Sequence, residues 1–131
     1  GAGETGLLGL VTAKLFQCPC LLTDVREAIA QLQLNIADMA KQDKLQIDAQ
    51  PYYWGEDPPV HGQGQFVPFG LLLAADCLYD TANVDPFMQA LGDLSGPTSE
   101  AVVAFDTALG RWPAYRRFEL LAKEQWRTVN A

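Results

Sequence analysis

Phe69-Gly70-Leu71-Leu72-Leu73-Ala74-Ala75-Asp76-Cys77-Leu78-Tyr79 is an apolar run that stops at a carboxylate. Seven consecutive uncharged residues, 69–75, predict the central strand of a parallel sheet, buried on both faces. The change of character at Asp76 predicts that the chain leaves the sheet there. In an open parallel sheet ligands collect beyond the carboxyl ends of the strands, so the residues after such a run are candidates for chemistry.

Outward from this strand, helix-like and strand-like patterns alternate. Upstream, Leu45, Ile47 and Ala49 alternate with polar residues and predict a strand stopped by Pro51. Residues 55–68 are rich in Gly and Pro and read as a loop. Arg26 to Lys41 reads as an amphipathic helix with Ile29, Leu32, Ile36 and Met39 on one stripe. Cys20 to Thr23 reads as a short buried strand ending at Asp24, and about Thr5 to Phe16 as a helix with Leu7, Leu8, Val11 and Leu15 on its apolar side. Downstream, Asp85 and Pro86 suit the N-cap and first position of a helix that carries Phe87, Met88, Leu91 and Leu94 inward and ends at Gly96 and Pro97. Ala101 to Phe105 predicts a strand ending at Asp106; Pro113 opens a helix with Tyr115, Phe118, Leu121 and Ala122 on one side; Trp126 to Val129 begins a further strand. The alternation predicts an α/β fold, a mostly parallel sheet with helices on both faces.

Gly1, Gly3 and Gly6 stand as G-x-G-x-x-G at the mouth of a helix. Glycines there allow a tight turn and close approach of a ligand to the helix N-terminus. One helix later comes Asp24, a strand-end carboxylate able to accept both hydroxyls of a ribose. The pattern fits a nicotinamide dinucleotide as well as S-adenosylmethionine. Because such a loop follows a strand, a first strand is expected upstream of Gly1. Trp54, followed by Gly55, offers an aromatic face to an adenine or a side chain to the core. Asp24, Trp54, Asp76 and Asp106 all fall at or near expected carboxyl ends of strands.

The net charge of −7 and the absence of Lys or Arg between Lys44 and Arg111 argue against nucleic acid as partner. That stretch holds Asp48, Glu56, Asp57, Asp76, Asp80, Asp85, Asp93, Glu100 and Asp106, which suits either a cationic partner or plain solvation. No apolar run approaches the roughly 18 residues that span a bilayer, so no membrane is expected as partner. Cys18, Cys20 and Cys77 lack zinc-site spacing, and His61 is the only further soft ligand, so no metal is expected; the cysteines read as small buried apolar residues.

At these residues the chain resembles the seven-strand methyltransferases, and within them the family that methylates lysines on non-histone proteins. The resemblance rests on Gly1-Ala2-Gly3, Asp24, Leu32 with Asn35-Ile36, Trp54-Gly55 and the D-x-x-Y motif Asp76-Cys77-Leu78-Tyr79. It departs where Glu4 and Thr5 precede Gly6, one residue more than the usual G-x-G-x-G, and at Tyr52, where Leu is usual. It implies a Rossmann-like class I methyltransferase core spanning 1–131 as one partial domain, incomplete at both ends, without its first strand and final strand hairpin. It implies S-adenosylmethionine as cofactor, held by Gly1, Ala2, Gly3, Asp24, Trp54 and Ala75. It also implies Asp76 and Tyr79 as catalytic residues, a cytoplasmic setting, and a partner protein that presents a lysine, such as an ATPase or chaperone-like protein. A nicotinamide-dependent oxidoreductase and a non-catalytic methyltransferase-like binding module are the alternatives.

Overall fold

A computed structural model describes the chain at residues 3, 5–60, 66–107 and 110–128. The elements in order are α1 (Leu7–Phe16), β1 (Cys20–Asp24), α2 (Arg26–Asp43), β2 (Ile47–Pro51), β3 (Phe69–Ala75), a short 3-10 turn (Thr81–Asn83), α3 (Val84–Leu94), β4 (Ser95–Ala104) and α4 (Trp112–Gln125). The α/β class and the parallel strand pairing are as expected. The chain divides into two compact units, Gly1–Tyr53 with Pro59–Phe66, and Trp54–Pro58 with Val67–Ala131. No helix among the described residues is long and apolar enough to cross a membrane.

In the first unit β1 and β2 pair in parallel from Cys20 opposite Ile47 to Asp24 opposite Pro51, joined through α2. The α2 stripe behaves as its periodicity predicts: Ile29, Leu32 and Ile36 pack with Leu22, Ala49 and Leu10, and Met39 lies against them. The expected strand start at Leu45 moves to Ile47, and Pro51 is included in the strand. The face of α1 is the opposite of the expected one. Leu7 and Leu15 are 62% and 72% exposed, Leu8 and Val11 are exposed too, and the buried positions are Leu10, Thr12 and Ala13. The inner stripe runs Gly6, the half-buried Gly9, Leu10 and Ala13, at helical spacing, and its small residues let the helix press onto β1. A Cβ at Gly9 would stand 2.6 Å from Leu22 Cδ1, so any larger residue there would force the Leu22 side chain to move.

In the second unit β3 and β4 pair in parallel from Leu71 opposite Glu100 to Ala75 opposite Ala104. The register breaks between Phe69 and Leu71. Ser99 bridges the irregular part: its hydroxyl donates to the Phe69 carbonyl at 2.6 Å and accepts the Gly96 N–H at 2.7 Å. β3 is not covered on both faces. Leu72 and Ala74, with Ala101 and Val103 of β4, pack against the core formed by Leu78, Val84, Phe87, Met88, Leu91, Ala114 and Ala122, while Leu71, Leu73 and Val102 alternate outward and are exposed. Asp85 does not cap α3. The helix starts earlier, after Asn83; Asp80 caps the preceding turn by accepting the Ala82 N–H at 3.0 Å. The Asp85 carboxylate pairs with Arg117 of α4 at 2.7 Å, and this guanidinium holds the carboxyl below its usual range. Residues 126–128 form no strand; Trp126 is half-buried against the core, and Val129 lies outside the described residues.

Candidate functional site

The expected site residues fall in both units. In the first unit β1 delivers Asp24 at its carboxyl end. The Asp24 carboxylate accepts the N–H of Gly3 at 2.9 Å on one oxygen and that of Val25 at 2.7 Å on the other. The structure thus brings together two of the residues expected to hold a cofactor. The surroundings of Asp24 are braced from the backbone: the Tyr52 N–H donates to the Asp24 carbonyl at 2.9 Å. The Tyr53 hydroxyl accepts the Arg26 N–H at 3.1 Å and donates to Glu27 at 3.3 Å, tying the exit of β2 to the start of α2. Tyr53 was not singled out by the sequence, because a tyrosine in a loop carries no periodic signal.

The two described glycines of the loop differ in kind. Gly3 is left-handed (φ 69°), and an added Cβ would meet nothing within 4 Å, so that side of the backbone lies open. Gly6 is also left-handed (φ 66°), but its Cβ would stand 2.6 Å from Leu22 Cδ2 and 3.0 Å from Leu32 Cδ2. Gly6 is therefore a packing glycine at the start of α1. Gly1, Ala2 and Glu4 lie outside the described residues, as does His61.

Gly3 and Asp24 suit an adenosyl cofactor. A carboxylate offers about four lone-pair sites, and two backbone donors leave acceptor capacity for ribose hydroxyls. The glycine backbone can be approached closely from its open side.

In the second unit Trp54 is half-buried, its ring edge-on to Phe87 with centroids 5.0 Å apart, and it packs against the core. Gly55 follows with φ 91°, turning the chain away. Ala75 closes β3 as an exposed residue and accepts the Cys77 thiol at 3.4 Å. Asp76 has φ 54°, a left-handed conformation uncommon for a side-chain-bearing residue outside Asn, Asp and His. Its N–H donates to the Ala104 carbonyl at 2.7 Å, extending the β3–β4 ladder by one bond. Its side chain is 60% exposed and accepts a hydrogen bond from the guanidinium of Arg111, just before α4. Leu78 is buried in the core and anchors the turn, leaving Asp76 and Tyr79 at the surface. Asp106 follows β4 as an exposed residue.

Arg111 was missed as a site residue. The signal for it was its place as the first cationic residue after a long acidic stretch.

A family model described as lysine methyltransferase matches residues 1–114.

Proposed function

Because the chain belongs to the lysine methyltransferase family, we propose that it is an S-adenosylmethionine-dependent enzyme that methylates a lysine side chain of a protein substrate. Membership favours S-adenosylmethionine over a nicotinamide dinucleotide as the partner of the glycine loop. When bound, the cofactor supplies an electrophilic methyl group on a sulfonium. Gly3 and Asp24 are placed to hold its ribose end. Gly1 and Ala2 are the other loop positions assigned to it, with Trp54 and Ala75 after β2 and at the end of β3.

The observation that carries the acceptor side is Asp76. It is an exposed carboxylate at the carboxyl end of a parallel strand, and it already engages a cation. An acceptor lysine, with an ordinary pKa near about 10.4, arrives as a cation. Asp76 binds the incoming ammonium as Arg111 gives way, and orients the amine once its proton has passed to solvent. Alignment and placed charge then do the catalytic task. Tyr79, exposed three residues on, lines the acceptor side. The acidic stretch from Asp48 to Asp106 favours a basic segment on the partner. Trp54-Gly55-Glu56, Ala75 to Tyr79, Leu94-Ser95-Gly96 and Phe118 to Leu121 resemble the lysine methyltransferase of valosin-containing protein. That favours a cytoplasmic ATPase or chaperone-like acceptor.

The test uses labelled S-adenosylmethionine and a cell extract. Label should enter lysines of a partner protein, and Asp76→Asn should lower transfer by at least about a hundredfold, the scale of one placed electrostatic group. Affinity for S-adenosylhomocysteine, measured by calorimetry, should change little in that variant. Label on another residue type would redirect the acceptor assignment. Binding of S-adenosylhomocysteine with no transfer would favour the non-catalytic module.

A further inference from the structure

Cys18 lies in the connection between α1 and β1, Cys20 opens β1 with Pro19 between them, and neither is deeply buried. Their sulfurs lie 3.9 Å apart. We propose that this pair is a redox modification site, closing to an intramolecular disulfide when the protein meets a hydroperoxide.

The geometry favours closure. A disulfide needs sulfurs about 2.05 Å apart, so the gap must shrink by roughly 2 Å, within reach of side-chain rotation and a small backbone adjustment. The two cysteines differ in setting. Cys20 is the first residue of β1, its N–H donating to the Gln46 carbonyl at 2.9 Å. Cys18 belongs to neither helix nor strand. The chain is already folded back at this point: Gln17 is left-handed (φ 50°), and its side-chain amide donates to the Lys14 carbonyl at 2.7 Å.

The chemistry assigns an order. Burial, and then the neighbouring Cys18, push the Cys20 thiol up to about 11, so Cys20 is a poor first nucleophile at neutral pH. The Cys18 thiolate attacks the hydroperoxide, the O–O bond breaks, and the leaving oxygen departs as water or alcohol after taking up a proton. Cys18 is then a sulfenic acid. The Cys20 sulfur attacks Cys18, the S–O bond breaks, and the hydroxyl leaves as water with the proton from Cys20. Two thiols lose one electron each, and the hydroperoxide gains both. A pair that does not stabilise its thiolate forms a disulfide less prone to reduction than a low-pKa pair does.

Trypsin supplies a clean readout, since the peptide from Leu15 to Arg26 holds Cys18 and Cys20 but not Cys77. After equimolar hydrogen peroxide that peptide should be lighter by two hydrogens and refuse alkylation, and dithiothreitol should restore both thiols. Cys20→Ser should stop at a sulfenic acid captured by dimedone, and Cys18→Ser should show neither product. The proposal is overturned if both thiols stay alkylatable while Cys77 reacts. It is equally overturned if Cys18 runs on to sulfinic acid in the unmodified protein, or if either cysteine links instead to Cys77 or to another chain.

Discussion

Asp24→Ala removes an acceptor from two backbone N–H groups at once, those of Gly3 and Val25. The glycine loop then loses the bond that fixes it to β1, and the proposed ribose acceptor is gone. Affinity for S-adenosylhomocysteine should fall by about 1–3 kcal/mol, the scale of hydrogen bonds to a charged group; an unchanged dissociation constant in calorimetry would remove Asp24 from the cofactor site. The glycines make a sharper contrast. Gly6→Ala meets both a left-handed backbone and Leu22 Cδ2 at 2.6 Å, whereas Gly3→Ala meets the backbone cost alone. Strain costs about 1–2 kcal/mol, and overpacking adds about 1–3 kcal/mol. Urea unfolding should therefore rank Gly6→Ala clearly below Gly3→Ala, and Gly3→Ala should show the larger effect on cofactor affinity. Equal midpoints would mean that the Leu22 contact relaxes without cost.

The link between α3 and α4 titrates with a defined sign. The Asp85 carboxyl is lowered in the folded protein, first by its hydrogen bond to Arg117. Its contribution is therefore present above the ordinary carboxylate pKa and disappears as pH falls through the lowered folded value. The pair is exposed, so the effect is small and screened by salt. Arg117→Ala should melt slightly below the parent at neutral pH and low salt, and the two should converge in acid; a gap that persists there would assign it to lost packing. Among the elements, α2 and β3 were the most legible. α2 shows one apolar stripe on a polar helix, and β3 is an apolar run between punctuating residues. α1 misled because it is apolar almost all round, so hydrophobicity alone cannot choose a face. Gly6, Gly9 and Ala13 choose it, since small residues mark where a backbone can approach most closely. The outer face of β3 was invisible for a related reason: an unbroken apolar run carries no period that distinguishes a covered face from an open one. Asp85 looked like a cap because its local sequence suits one, and the pairing with Arg117, thirty-two positions away, is not a local property.

At the scale of the whole molecule, Asp24 and Asp76 were legible as carboxylates at strand ends, but the partners of these groups were not. Asp76 could be picked out as a carboxylate after an apolar run; that it rests on Arg111 depends on where the chain returns before α4. The chain's lysines are Lys14, Lys41, Lys44 and Lys123, so residues 45–122 contain none. The cation on Asp76 is an arginine, whose delocalised guanidinium offers no free amine lone pair. Under the proposed role of Asp76 as acceptor carboxylate, a side chain of the same chain resting on it is at risk of being modified. Here the occupant carries the right charge and is the wrong nucleophile, so it can keep the place indefinitely without being consumed. Arg111→Lys would remove that immunity. Incubated with labelled cofactor and no partner, the parent should stay unlabelled across residues 45–122, while the variant should acquire label at position 111.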